Sequence, residues 1–144
     1  MKNFALLILT LFTLIGCGSD DAATGDKGAP SYNAVMFFDA IYNKNDLNAA
    51  IEFATPTMAR IMRSYGTASQ FSRNLMNLQY DTVNIEVDMT NASLREVYGE
   101  KATVNLIFSG HWQGKKIDDM RSVKMIRKKG TWYVDKIVHD PYSR

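Results

Sequence analysis

Apolar residues recur every three to four positions between residues 31 and 78, and every second position from residue 83 onward. These are the periods of helices with one buried face and of strands with one wet face. Ala34, Phe37, Phe38, Ile41 and Tyr42 share a broad face of a first helix that ends near Lys44, with Ser31 as its expected N-cap. Asp39 and Asn43 project from the other side. Asp46 is placed to cap a second helix carrying Leu47, Ala50, Ile51 and Ala54. Pro56 opens a third, at a position where its missing N–H costs nothing. Met58, Ile61, Met62 and Tyr65 form its stripe and Gly66 its left-handed stop. Thr67-Ala68-Ser69-Gln70 has the form of a capping box for a fourth helix, with Ala68, Phe71, Leu75 and Leu78 on one side.

After Leu78 the period becomes two. Val83, Ile85, Val87 and Met89 alternate with Asn84, Glu86 and Asp88. Asn91 and Ala92 interrupt the pattern, and a shorter strand from Leu94 to Tyr98 meets a Gly99-Glu100 turn. Ala102, Val104, Leu106 and Phe108 then alternate towards Trp112. Gln113-Gly114 turns the chain into Lys115 to Arg127, with Val123 and Met125 facing inward, and Lys129-Gly130 turns it into Thr131 to Val138. Helices first and consecutive hairpins afterwards predict one α+β domain over residues 31–144, an antiparallel sheet packed on its N-terminal helices.

The first thirty residues follow neither period. Lys2 precedes the apolar run Phe4 to Ile15, which is shorter than the roughly 20 residues a membrane-spanning helix needs and reads as an export signal over residues 1–16. Leu14-Ile15-Gly16-Cys17 closes it with the only cysteine of the chain. This stretch resembles the lipobox of bacterial lipoproteins. The resemblance implies diacylglycerol on the Cys17 sulfur, removal of the preceding peptide and acylation of the new N-terminus, here with palmitate-type chains. Several acyl chains hold a protein stably on a bilayer. Gly18 follows the cysteine where an aspartate would favour the inner membrane, which implies the outer membrane and a periplasm-facing domain. With Cys17 acylated, no thiol is left for a disulfide, a metal or a nucleophile. Residues 18–30 hold three aspartates, three glycines and no large apolar side chain. They read as a flexible tether with a span of roughly 20 Å.

Order and length of the elements resemble the nuclear-transport-factor-2-like, or SnoaL-like, α+β roll. The likeness lies in Gly99-Glu100-Lys101-Ala102-Thr103-Val104 and Lys128-Lys129-Gly130-Thr131-Trp132-Tyr133-Val134-Asp135. It implies a curved sheet wrapped around the first helix as a cone, whose pocket some members use for isomerase or cyclase chemistry and others only for binding. Rolls of this kind often dimerise through the sheet. On this likeness the pocket candidates are Asp39, Tyr42, Tyr65, His111 and Trp112. Each also has an ordinary structural reading: a solvated aspartate, two packed tyrosine rings, an edge histidine and a rim aromatic. His139-Asp140 reads the same way, as a solvated strand end.

Other chemistry finds no motif. Two histidines and Asp118-Asp119 lack metal-site spacing, no cofactor signature is present, and phosphate-binding glycine loops are missing. Residues 101–144 carry ten Lys/Arg against four Asp/Glu in a chain of net charge +2. That asymmetry suits an acidic partner or anionic headgroups, or simply a solvated sheet edge protected by lysines. The compartment argues against nucleic acid. The expectation is a non-enzymatic envelope module binding a small apolar ligand or a protein partner. Its alternatives are an isomerase- or cyclase-type enzyme using Asp39 or His111 with a tyrosine, and an immunity or interaction subunit.

Overall fold

The structure, a computed structural model, describes residues 26–89 and 99–138. Among the described residues, four α-helices are followed by a four-stranded antiparallel sheet in the order β1-β2-β3-β4. The strands are β1 (Thr82–Val87), β2 (Lys101–Trp112), β3 (Lys115–Lys128) and β4 (Thr131–Val138). Helix α1 (Pro30–Tyr42) begins one residue before the expected cap, with Pro30 in its first turn and no side-chain cap at Ala29. The reason is local: a residue before proline is driven to extended backbone, and proline's fixed φ starts the helix. Ser31 therefore lies inside the helix rather than at its cap.

The next three boundaries follow the side chains that accept the orphan N–H groups. Asp46 accepts from Asn48 and Ala49 N–H at the head of α2 (Leu47–Ile51). Thr55 accepts from Met58 N–H at the head of α3 (Pro56–Tyr65), which stops at Gly66 with φ +80°. Thr67 accepts from Gln70 N–H at α4 (Ala68–Phe71). From there the structure departs from the expected helix. A π-helical turn over Ser72–Met76 replaces its second half, and Asn77 closes it in the left-handed region. Leu78 is buried, but beyond the helix.

Both β2–β3 and β3–β4 are joined by two-residue turns with positive φ at each position, Gln113-Gly114 and Lys129-Gly130. Turns of this hand match the twist of the flanking strands. Met89, expected to face inward on the first strand, lies beyond β1 and is 70% exposed. The expected strand from Leu94 to Tyr98 falls outside the described residues, as do the leader, Cys17 and His139-Asp140.

Helix α1 packs against all four strands. Two asparagines fasten it to opposite edges of the sheet. Asn33 donates to the Trp132 carbonyl of β4 at 2.6 Å. Asn43, just past the other end, donates to the Val83 carbonyl of β1 and accepts from the Val83 N–H. The β4 edge gains a further cover: Thr55 N–H donates to the Val134 carbonyl and Val134 N–H to the Phe53 carbonyl, so the α2–α3 connection pairs with it in parallel at Ala54. Backbone groups that would otherwise template another chain are thereby occupied.

Between helices and sheet, Phe37, Phe38, Phe71, Phe108, Met62, Met76 and Met125 are fully buried. Phe38 meets Phe108 edge-on at 5.1 Å and Phe37 at 5.0 Å, the geometry favoured by the ring quadrupoles. Among the described residues no helix is long and apolar enough to cross a membrane.

Candidate functional site

Tyr42 ends α1 and Tyr80 stands two residues before β1, so both rings reach the same end of the sheet. They meet edge-on at 5.4 Å, and Tyr80 stacks nearly parallel to Phe108 at 6.4 Å. Gly110 makes room for this. It occupies an inward position of β2, where a Cβ would fall on the Thr82 carbonyl and 2.6 Å from Cδ1 of Tyr80. Both tyrosines are 8% exposed, and neither hydroxyl has a hydrogen-bond partner among the described residues.

Beneath them lies an ion pair on the inward face of β3. Arg121, 5% exposed, places Nη2 at 2.7 Å from Asp119 Oδ2, with the Met76 carbonyl at 3.5 Å. The pair stands where alternation asks for apolar residues, in line with Val123 and Met125. A buried pair of this kind is retained at a desolvation cost, so its presence marks a polar environment built into the core.

Burial pushes both phenols well above the ordinary tyrosine value. For Tyr42 the next cause is Tyr80, with Asp119 adding to the rise and Arg121 opposing it. For Tyr80 the next cause is Asp119, again opposed by Arg121. Both therefore stay protonated when an unfolded tyrosine would ionise near pH 10. The unfolded state then binds fewer protons than the native one, so stability is intact below pH 10 and falls as pH rises above it. The expected slope is about 1.4 kcal/mol per pH unit for each tyrosine. Urea titrations from pH 9 to pH 11 check this, and Tyr42→Phe with Tyr80→Phe should flatten the loss.

Next to the two rings opens a cleft of about 260 Å³, whose lining includes Tyr42, Tyr80, Trp112, Asn45, Ser72 and Arg73. The π-helical turn supplies Ser72 and Arg73. Among the described residues, no carboxylate lines the cleft. A second hollow, of about 330 Å³, lies at the other end of β2 beside Lys101, Lys124 and Asp135. It opens on the outward face of the sheet, where Lys124 pairs across strands with both Thr103 and Lys136. Farther along that face, Lys116 at 3.0 Å holds the Asp118 carboxyl below its usual range.

Of the five pocket candidates, the structure brings two together: Tyr42 and Trp112 border the cleft. Asp39 is held away from it by its partners, accepting from Asn43 Nδ2 at 2.9 Å and pairing with Lys44 at 3.0 Å. Tyr65 packs its ring on Phe71 at 5.8 Å. His111 is exposed on the outward face of β2, between Thr82 and Lys116 in the strand register. Tyr80, Arg73, Asp119 and Arg121 were not among the candidates. One signal was available for the pair: a charged residue at each of two alternate positions of a strand otherwise facing the core.

Among the described residues no three His, Cys, Asp or Glu side chains gather as metal ligands. Fold and cleft define an α+β domain with helices on one antiparallel sheet and a small donor-lined recess at one end. Compared with family models, curated proteins and solved structures, the chain gives no match.

Proposed function

We propose that the protein is a lipid-anchored lipoprotein of the bacterial outer membrane, facing the periplasm, whose α+β roll serves as a non-enzymatic binding or accessory module. The address rests on Leu14-Ile15-Gly16-Cys17 after a short apolar leader. The observation that carries the module reading is the interior itself. Phenylalanine and methionine side chains fill the space where a catalytic cone would hold substrate, and among the described residues no carboxylate hydrogen-bonds the Tyr42 hydroxyl, the nearby Asp119 being paired with Arg121. An acid–base mechanism needs its base within hydrogen-bond reach of the reacting proton. Asp39 is engaged with Asn43 and Lys44, and His111 faces outward, which weighs against the isomerase or cyclase alternative.

The outward face of the sheet suits an envelope partner or a second copy. Met120, 43% exposed, lies beside Ile107, and Ile126 beside Tyr133, amid lysines 101, 124 and 136. The test of the address is metabolic labelling of the full chain with palmitate in its native host. Label should enter the wild type and be lost in Cys17→Ser, which should also leave the membrane fraction. Label-free wild type, or a Cys17→Ser chain that still fractionates with membranes, would overturn the reading.

A further inference from the structure

We infer that the end of the sheet around the Lys129-Gly130 turn is a membrane-docking surface, which seats the domain on the anionic phospholipid leaflet that holds its acyl chains. The inference deepens the lipid-anchor reading and rests on it. Lys101, Lys124, Lys128, Lys129 and Lys136 are all exposed, and among the described residues none of them forms an ion pair. Strand register gathers them: Lys101 stands beside Ile126, Lys128 beside Thr131 at the turn, and Lys124 directly opposite Lys136. Like charges facing each other across strands cost stability. Edge protection does not account for the cluster, because β2 and β3 have a strand on either side and the β4 edge is covered at Val134 by the α2–α3 connection. A negative surface outside the protein does.

The tether enters the domain at the same end. Asn33, in the first turn of α1, donates to the carbonyl of Trp132, just past the basic turn. Asn43, beyond the last turn, is bonded to Val83, which the register aligns with Gly110 and Ile117 at the opposite end of the sheet. Pro30 therefore stands by the basic turn, preceded by the exposed Lys27. Residues 18–30, with a span of roughly 20 Å, keep this end within reach of the headgroups. Two nearby carboxylates are turned elsewhere: Asp135 accepts from the Thr55 hydroxyl at 3.2 Å and Asp26 from the Gly28 N–H at 3.0 Å. Glu52, Glu100 and the tether's Asp20 and Asp21 offset only part of the positive charge. The acyl chains hold the protein on the bilayer; the lysines decide which end faces it. Docking in this pose leaves Met120, farther along β3, open to a periplasmic partner.

The test uses the acylated protein in vesicles that carry an energy-acceptor lipid, with a donor fluorophore attached at Thr131→Cys or, at the far end of the sheet, at His111→Cys. In phosphatidylcholine vesicles containing about 30% phosphatidylglycerol, transfer should be stronger from position 131 than from position 111. That gap should narrow in pure phosphatidylcholine, and also in about 1 M salt, where screening shortens to about 3 Å. Lys101→Gln/Lys128→Gln/Lys129→Asn should lower the docked-to-free ratio about a hundredfold, at about fivefold for each lysine near an anionic surface. Asparagine suits the positive φ at position 129, and thermal unfolding verifies that the triple variant folds. Equal transfer from the two positions in the anionic vesicles, a gap of the same size in pure phosphatidylcholine or in high salt, or a gap unchanged in the triple variant would each overturn the inference. Palmitate incorporation measured on the same preparation separates the two readings: acylated protein that fails these comparisons refutes the docking alone, whereas protein without palmitate refutes both.

Discussion

Arg121→Met should lower stability by about 3–5 kcal/mol, while Asp119→Leu/Arg121→Met should recover most of the loss. The single change removes the guanidinium 2.7 Å from Asp119 and leaves a carboxylate, itself largely buried, facing the aromatic cluster. The double change removes both desolvation costs and puts apolar volume into a wall already lined by Val123, Met125 and Phe108. Urea denaturation at pH 7 reads both, with the midpoint shifting and the slope preserved if the transition remains two-state. A single-variant loss under about 1 kcal/mol would show that water reaches the pair in solution, because exposed ion pairs contribute at that level. The pair ties β3 towards the end of the π-helical turn at Met76, so losing it should loosen the segment that presents Arg73.

Most of the fold was legible because its signals are local. Asp46, Thr55, Gly66 and Thr67 stand where helix ends need an acceptor or a positive φ, and each does that work in the structure. The two-residue turns at Gln113-Gly114 and Lys129-Gly130 set the register of three strands, and alternation then decides which face of each is buried. What escaped has tertiary causes. The stripe Phe71, Leu75, Leu78 suits a continuous helix, yet the chain must leave α4 to reach β1, and it does so through a π-helical turn and a left-handed Asn77. Nothing in a periodic pattern distinguishes a helix that continues from one that widens. Asp39 was a pocket candidate on the family likeness, against an ordinary reading as a solvated aspartate, and its bonds to Asn43 and Lys44 make it a brace at the end of α1. Tyr42 and Trp112 were both pocket candidates, and the other residues of the recess that they border come largely from residues 69–80, brought to them by the fold.

Gly110→Ala is the second large effect: a loss of about 2–3 kcal/mol, at the upper end of the cost of overpacking. The argument is purely steric. Position 110 has ordinary extended backbone in β2, opposite Val83 of β1 and Ile117 of β3, so no left-handed conformation is at stake. A methyl group there meets the Thr82 carbonyl, the Tyr80 ring and the Val83 Cα at once. Two of these three are backbone of the edge strand, which a rotamer change cannot relieve, so either β1 separates locally from β2 or the ring of Tyr80 leaves its stack on Phe108. Separation would also strain the paired hydrogen bonds between Asn43 and Val83 that hold the end of α1. Urea denaturation gives the magnitude, and near-ultraviolet circular dichroism of the tyrosines reports whether the ring has moved. Adding Tyr80→Leu separates the two routes: partial rescue identifies the ring as the obstacle, and no rescue identifies the edge strand. A Gly110→Ala protein within about 0.5 kcal/mol of wild type would contradict the close approach.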